Sequence, residues 1–403
     1  MIPRTPPRPI AGLIAAALLA PAAAAQESPA APASPTAGYD GRFFIASPEP
    51  GFRLNVIGDI QFRYHSTFDA DDPAENVDDD FEGGFQLRRT RLDVRGTTLN
   101  NKVEFRVLSS FSRSDGRLEL QDAWASYAFD GGAKLLAGQF KLPFTREFDV
   151  GSIRQLAVER SIADEIFRLD RSQGLMLSRE WDRVRVAGAF SDGRRTVNSA
   201  YTDDSEADFA FTGRFEARLG EAGWRQFRDF TSFRGGDTGV LLGLAGHWQQ
   251  GGATASPAAL DDEADLFAYT ADASIEGDGW NIFAAFYGRH IEAGDETYDD
   301  LGFTVQAGVF VTEHHELFAR YSAVFPDDDR SGGTDSFSEI TAGVNWYFIP
   351  ESHALKVTLQ AQYYPEPTTD ASSLISTPNT SIGILPDADS GQLAVVAQLQ
   401  LLF

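Results

Sequence analysis

The sequence contains no cysteine and no long apolar segment beyond its N-terminus. Without cysteine, disulfides, zinc sites with cysteine ligands and thiol nucleophiles are excluded. No apolar run reaches the roughly 18 residues that a transmembrane helix needs, and the mean hydropathy is −0.25, so a helical membrane protein is not expected. A β-barrel is still allowed, because only alternate residues of each strand face the lipid.

Positive charge is scarce and unevenly placed. The chain has 34 Lys and Arg residues against 59 Asp and Glu residues, a net charge of −25, which argues against nucleic acid as a partner. Residues 52–234 hold 27 basic and 31 acidic residues, whereas residues 235–403 hold 4 basic and 25 acidic ones. The basic residues are therefore concentrated in the first half of the chain.

The N-terminus has the features of a secretory signal. Arg4 and Arg8 precede a short apolar stretch at residues 10–19, and the alanines at 23–25 fit a cleavage site. We therefore predict a signal peptide over residues 1–25 and a flexible Ala/Pro-rich periplasmic lead-in over residues 26–51. Residues 52–403 are predicted to form the folded domain.

From Phe52 onward, apolar and polar residues alternate with a period of two, which is typical of strands with one face toward lipid and one toward water. The even number of about sixteen segments, joined by alternating short and long connections, predicts an all-β protein, a transmembrane antiparallel β-barrel. One connection, residues 220–237, is too long for the short turn expected there. The segments lie near 52–66, 84–97, 101–112, 118–129, 133–141, 172–180, 183–191, 207–219, 238–249, 265–276, 279–290, 301–311, 314–324, 336–348, 353–364 and 391–403.

The last segment is apolar at every second position from Leu393 onward and ends on Phe403. It resembles the terminal strands of bacterial outer-membrane proteins. The resemblance implies that Phe403 is an assembly signal for the barrel-assembly machinery. It also implies a location in the bacterial outer membrane, in contact with its lipid and lipopolysaccharide.

The same alternation assigns a set of arginines to the pore wall. Their planar, permanently charged side chains can pass an oxyanion from one site to the next. The alternative is that they pair with acids such as Asp59, Asp93 and Asp122 and brace the wall. Arg88 has the opposite parity to Arg89 and is expected near a membrane rim. The predicted inward set is Arg53, Arg63, Arg89, Arg91, Arg95, Arg106, Arg183, Arg185, Arg214 and Arg218.

Residues 143–171 form the longest connection with apolar content. Ser152 and Gln155 have the spacing of a capping box, which predicts a short helix in a loop folded into the barrel. An external loop is the alternative. The predicted constriction cations are Lys141, Arg146, Arg154, Arg160 and Arg168.

Acids and amides of the second half are predicted to face these cations across the pore and to create a transverse field. They are Glu316, Glu339, Gln360, Gln362, Gln398 and Gln400.

Three stretches resemble the phosphate-selective porin O and P family. They are residues 85–96 (FQLRRTRLDVRG), residues 138–144 (GQFKLPF) followed by Glu147, and residues 158–161 (VERS). The resemblance implies a sixteen-stranded homotrimeric barrel with inward-folded loops. It also implies that Arg and Lys side chains draw anions through the constriction.

The sequence therefore predicts a passive porin for small hydrophilic solutes, biased toward anions such as phosphate, with no cofactor or metal. One alternative is a general porin with weak or cation-leaning selectivity, governed by acidic loops such as residues 69–82. Another is a structural or adhesive barrel. An enzyme is not expected, because no Ser/His/Asp grouping has a recognisable motif.

Overall fold

The computed structural model describes residues 36–47, 51–69, 81–253, 264–330, 332, 335–368, 374, 382–384, 388 and 391–403. The predicted signal peptide and most of the acidic segment at 69–82 lie outside these residues. Within the described part of the chain, no helix combines the length and the apolar content needed to cross a bilayer.

Sixteen antiparallel strands form a closed barrel, in which each strand pairs with the next and the last, β18, pairs with the first, β3. The barrel strands are β3 (Arg53–Asp69), β4 (Phe81–Thr98), β5 (Val103–Phe111), β6 (Leu118–Ala128), β7 (Ala133–Lys141), β8 (Arg171–Glu180), β9 (Val184–Ser191), β10 (Phe209–Gly220), β11 (Gly239–Gln250), β12 (Asp265–Gly277), β13 (Trp280–Ala293), β14 (Glu296–Phe310), β15 (His315–Phe325), β16 (Phe337–Tyr347), β17 (Leu355–Tyr364) and β18 (Gln392–Leu402). The predicted barrel and its strand number are confirmed.

The alternation of the sequence separates the two faces of each strand. On β3, Phe62 and Tyr64 are exposed on the outer surface, whereas Gln61 and Arg63 are buried inside. On β17, Leu359 is exposed and its neighbour Gln360 is buried. Apolar side chains thus cover the outside, where they meet lipid, and polar side chains fill the inside.

The start of β3 and the end of β18 lie at the same end of the barrel. Six of the turns at this end contain two to seven residues. Because outer-membrane barrels have short periplasmic turns and longer external loops, this end is the periplasmic one. The seventh turn, residues 221–238, is longer and is called the periplasmic insert below.

Part of the predicted flexible lead-in is folded. Residues Ala37–Tyr39 (β1) and Phe43–Ala46 (β2) form a hairpin, and β2 pairs with the first four residues of β3. The side chain of Arg53 stabilises the hairpin, because it pairs with Asp40 at 2.5 Å and lies over the ring of Phe44. The prediction of flexibility is therefore wrong for residues 37–46.

Residues 142–170, between β7 and β8, enter the barrel and are called the inward loop. The loop contains two short helices, α1 (Arg146–Asp149) and α2 (Ile162–Phe167). Its apolar side chains join one buried cluster with residues of the strands from β13 to β17, for example Phe167 with Tyr287 on β13. Burying each such side chain contributes about 1.5–3 kcal/mol, which holds the loop against that side of the lumen.

The helix predicted to start at Ser152 is wrong. Only one 3-10 turn, Ser152–Arg154, forms there. The amide of Gln155 donates to the carbonyls of Glu147 and Val150, at 2.9 and 3.0 Å, instead of closing a capping box. The caps are Thr145 and Ser161, whose hydroxyls accept from the N–H groups three residues later.

Candidate permeation pathway

An elongated cavity of about 2220 Å³ follows the inner face of β3 to β9. Its wall includes Arg113, in the β5–β6 connection at the outer end, and His353, in the β16–β17 turn at the periplasmic end. The inward loop and the periplasmic insert occupy the opposite side of the lumen and form the rest of the wall. The cavity therefore connects the two ends of the barrel along its arginine-rich side.

Positive charge dominates this cavity. Among the described residues, sixteen Arg or Lys side chains and nine Asp or Glu side chains line it, an excess of seven positive charges. The chain as a whole carries a net charge of −25. The fold thus collects basic residues in the lumen and leaves most acidic ones elsewhere.

Five of the predicted wall arginines line the cavity. Several are paired with acids, as the alternative interpretation expected. Arg91 pairs with Asp59 at 3.0 Å, and Arg106 pairs with Asp93 at 2.9 Å. These carboxylates fix the guanidinium positions and neutralise part of their charge. The five are Arg89, Arg91, Arg95, Arg106 and Arg185.

The other five predicted wall residues do not line the cavity. Arg53 pairs with Asp40 of the β1–β2 hairpin. Arg214 is buried beneath the inward loop, where it donates to the carbonyl of Phe144 at 2.6 Å and pairs with Asp272 at 2.9 Å. Arg183 and Arg218 lie at the periplasmic rim, and Arg218 pairs there with Asp182 at 2.6 Å.

Arg63, the fifth, belongs to a buried cluster around Glu159 of the inward loop. Glu159 accepts from Arg63 at 2.6 Å, from Arg88 at 2.5 Å and from Arg89 at 2.7 Å. Burial alone would raise the pKa of Glu159, but the three guanidiniums outweigh it and hold the pKa well below its usual value. This cluster joins the inward loop to the wall formed by β3 and β4.

A β-bulge explains why two consecutive arginines reach the same carboxylate. Gln61 pairs with Arg89, whereas the next residue, Phe62, pairs with Leu87. Arg88 is the extra residue of the bulge, so the alternation of side chains is interrupted there. The expectation that Arg88 lies near a membrane rim is wrong, because its side chain reaches Glu159 and lines the cavity.

Four cations surround the ring of Phe148 on the inward loop. Lys141 and Arg160 lie 4.5 and 4.8 Å from the ring centroid, and Arg168 and Arg171 lie 5.0 and 5.7 Å from it. All four line the cavity. Three were predicted constriction residues. Arg171, the first residue of β8, was not among them, although it is the last residue of the predicted connection.

Within the described part of the chain, Lys141 makes no ion pair. It donates to the carbonyl of Phe148 at 2.5 Å, which satisfies a hydrogen bond without cancelling its charge. Arg160 donates to the carbonyls of Glu147, Phe148 and Val150, at 2.9 to 3.2 Å, and lies 3.8 Å from the carboxylate of Asp164. Arg168 is paired with Glu165 at 2.7 Å and with Asp170 at 3.4 Å.

The remaining two predicted constriction residues lie elsewhere. Arg146 is buried behind the loop, where it donates to Ser274 at 2.7 Å and to the carbonyl of Phe227 at 2.5 Å. Arg154 lines the cavity nearer its periplasmic end and lies 3.9 Å from Asp229. Only Lys141, Arg160 and Arg168 of the predicted five therefore meet at one point.

The acids and amides predicted to face the cations do not face the cavity. Arg320 donates to Glu339 at 2.5 Å, Gln360 accepts from the N–H of Val158 at 2.9 Å, and Asn345 donates to Glu316 at 3.1 Å. These side chains are buried beneath the inward loop and hold it. The amides of the other three are also occupied by hydrogen bonds. Gln362 donates to Glu339, and Gln398 accepts from Arg63. Gln400 accepts from Gln61 and donates to the carbonyl of Ile153. The prediction that these acids and amides face the cations across the pore is therefore wrong.

Several cavity arginines were not found from the sequence. Arg225, Arg228 and Arg234 belong to the periplasmic insert, Arg113 to an external connection and Arg42 to the β1–β2 hairpin. Strand parity assigns no direction to residues outside strands. The one available signal was the anomalous length of the connection that carries three of them.

Comparisons with known proteins agree with this architecture. OmpT of Vibrio cholerae matches with a TM-score of 0.59 and 12% identity, over 88% of this chain and 99% of that one. The anion-selective porin from Comamonas acidovorans matches with a TM-score of 0.59 and 13% identity, over 87% and 100%. The channel DcaP of Acinetobacter baumannii matches with a TM-score of 0.54 and 10% identity, over 87% and 98%. At these identities the matches show the fold alone.

At the level of sequence, no curated protein matches the chain. A family model described as phosphate-selective porin O and P matches residues 59–374, well over half of the chain. The family and the fold indicate a channel of the bacterial outer membrane rather than an enzyme. The chain belongs to the phosphate-selective porin O and P family.

Proposed function

We propose that this channel passes small hydrophilic solutes down their gradients and favours anions such as phosphate. The observation that supports this most directly is the excess of seven positive charges along the cavity of a chain whose net charge is −25. A lumen of one sign raises the local concentration of ions of the opposite sign.

The distribution of paired and unpaired cations supports passage rather than tight binding. Lys141 presents its charge near the ring of Phe148, while Arg91, Arg106 and Arg160 are partly neutralised by acids. A series of sites of moderate strength lets an anion enter, exchange partners and leave, whereas one strong site would retain it. Arginine forks suit the oxygens of phosphate.

We further propose a homotrimer with an exported precursor. One of the similar solved structures is described as a trimer form of OmpT. Residues 1–25 are proposed as the signal peptide and Phe403 as the assembly signal. Outer-membrane lipid, lipopolysaccharide and the barrel-assembly machinery are the proposed contacts of the barrel.

The test is the reversal potential of the purified protein in a planar bilayer under a KCl gradient, with and without added phosphate. We expect an anion-directed potential and a chloride current reduced by phosphate. Lys141→Gln removes one unpaired cation. At about 5 Å in water one charge contributes about 0.8 kcal/mol, or about a fourfold change in local anion concentration.

The matched control is Lys134→Gln. Lys134 is also on β7, does not line the cavity and pairs with Glu104 at 2.7 Å. We expect the chloride-to-potassium permeability ratio to fall up to about fourfold in Lys141→Gln and to stay unchanged in Lys134→Gln. A cation-directed potential without phosphate block in the wild-type protein would refute the anion bias.

That outcome would favour the second candidate, a general porin with cation-leaning selectivity. The observation behind it is the acidity of the outer end of the barrel. Asp327, Asp328 and Asp329 follow one another there, and Asp327 accepts from the backbone N–H of Asp299 near the start of β14. Exposed charges of this kind are screened beyond about 8 Å at physiological salt. We therefore expect the lumen to outweigh them.

A further inference from the structure

The inner face of the barrel wall is apolar along part of β6, β7 and β8, although the inside of such a barrel is usually polar. Trp124 on β6, Leu136 and Phe140 on β7, and Met176 on β8 line the cavity there and are called the apolar strip. Leu135, next to Leu136, is exposed on the lipid-facing surface, so the strip belongs to the lumen. Because apolar groups beside water stabilise nothing until something covers them, the strip is suited to contact with a solute.

We propose that the apolar strip binds the hydrocarbon part of organic anions, so that the channel also takes arylalkanoates, which carry a carboxylate at one end and an aromatic ring at the other. The cations around Phe148 hold the carboxylate, and the strip holds the ring. This inference rests on the proposed function, because it uses the same cations, and it adds a class of solute that differs from inorganic phosphate.

Packing holds the strip rigidly in the wall. Leu136 is the direct partner of Met176 between β7 and β8, and with Phe140 it belongs to a buried apolar cluster that includes Phe144 of the inward loop. Trp124 and Met176 pack against this cluster but are only partly buried. Their uncovered surfaces therefore face the cavity from a fixed support, which reduces the ordering cost of binding a ring.

A neighbouring cation on the wall is paired with acids. Arg106 lies directly opposite Trp124 in the pairing of β5 with β6, and its guanidinium pairs with Asp93 at 2.9 Å and with Asp122 at 2.7 Å. The two carboxylates offset its charge, so a small inorganic anion gains little beside the strip. A solute with a ring gains from contact with Trp124, since burial of apolar surface does not depend on charge.

The spacing between the strip and the cations suits a short arylalkanoate. Phe140 immediately precedes Lys141, whose ammonium lies 4.5 Å from the ring centroid of Phe148. Trp124 pairs with Gly138, three residues before Lys141, which corresponds to about 10 Å along β7 at about 3.3 Å per residue. A chain of a few carbon atoms ending in a phenyl ring is of comparable length, so it can contact both groups at once.

The test measures block of the chloride current through the purified protein in a planar bilayer by propanoate and by phenylpropanoate with the ring on the terminal carbon. The two anions share the carboxylate and differ by the ring. We expect the half-blocking concentration of phenylpropanoate to be at least about tenfold lower in the wild-type protein. This factor corresponds to about 1.4 kcal/mol, or burial of roughly 55 Å² of apolar surface, less than the whole ring offers.

Two variants and a control locate the effect. Trp124→Gln removes the largest side chain of the strip, and Met176→Gln makes it more polar while nearly keeping the volume. The control is Phe111→Gln, because Phe111 also lines the cavity but is the last residue of β5, at the outer end. It lies five residues from Arg106, the partner of Trp124, or about 16 Å along the strand.

We expect the ratio of the two half-blocking concentrations to fall at least about threefold in Trp124→Gln, less in Met176→Gln, and not in Phe111→Gln. If Trp124→Gln does not assemble, Met176→Gln supplies the same comparison. Equal block by the two anions in the wild-type protein, or a ratio that is the same in the strip variants as in the control, would overturn the inference.

The same recordings separate this inference from the proposed function. A cation-directed reversal potential in the wild-type protein would refute the proposed anion preference alone, provided that phenylpropanoate still blocks more strongly than propanoate and the strip variants reduce the difference. A wild-type anion preference without any effect of the ring would refute the role of the strip alone.

Discussion

Replacing Glu159 with glutamine should release the inward loop from the barrel wall. The carboxylate accepts from Arg63, Arg88 and Arg89 at 2.5 to 2.7 Å, and it is almost completely buried. Glutamine keeps the shape and one carbonyl oxygen but removes the buried negative charge that the three guanidiniums share. Removing one partner of a buried ion pair costs about 3–5 kcal/mol.

This cost sets the size of the expected effect. Since each 1.4 kcal/mol is a factor of about ten, the ratio of released to docked loop should rise about 10²- to 10⁴-fold. The barrel itself should stay closed, because its strand pairs do not involve Glu159. Single-channel recordings should therefore show frequent current fluctuations in Glu159→Gln.

The matched control is Glu165→Gln in the same loop. Among the described residues, Glu165 pairs with Arg168 alone, and it is partly exposed, so its removal should cost about 0–1 kcal/mol. Added phosphate should quieten the Glu159→Gln channel, because an oxyanion can accept from the released guanidiniums. A Glu159→Gln channel as quiet as the control in the absence of phosphate would refute the role of this cluster.

Two further predictions concern the inward loop and the C-terminus. Burial and the neighbouring Asp164 raise the pKa of Glu147 to about 7. The protonated carboxyl therefore stabilises the docked loop fully below pH about 4.3, the ordinary pKa of Glu, and this stabilisation is lost as the pH rises through about 7. Loop fluctuations in single-channel recordings should increase over that range in the wild type but not in Glu147→Gln, and a pH-independent wild type would contradict this. Phe403→Ala should lower the amount of folded barrel in the outer membrane, measured by heat-modifiable electrophoretic mobility, because the terminal ring packs on Gly58, where a Cβ would lie 2.5 Å from it. Phe403→Trp should restore assembly, and equal amounts of all three proteins would count against the assembly signal.

The barrel could be predicted from the sequence because its signal is repeated in every strand. The two-residue period follows from the pleat of the backbone, and it correctly separates Phe62 from Arg63 on β3. The same rule failed at Arg88, since a bulge inserts one residue without any mark in the local composition. The two-residue period therefore assigns the direction of a side chain reliably only within stretches of strand that contain no bulge.

The content of the lumen was harder to predict. Parity correctly pointed Arg214 and Glu316 inward, but it cannot say whether a loop covers them, and both are buried beneath the inward loop. The loop's own helices were misplaced because tertiary contacts of Gln155 decided against the local capping signal at Ser152. The caps that do form, such as Ser161 with Asp164, have an equally plain sequence pattern.

The one-sided filling of the lumen divides the inner surface into two parts that respond differently to substitution. Inward residues of β13 to β17, such as Glu339 and Asn345, pack against protein as residues of a globular interior do. Changes there should be tolerated only if they preserve volume and hydrogen bonding, whatever the solute. Inward residues of β3 to β9 border the water-filled path, so changes there can alter which solutes pass while the fold is kept. Variation in solute preference among related channels should therefore accumulate in the first half of the chain, where the basic residues are concentrated.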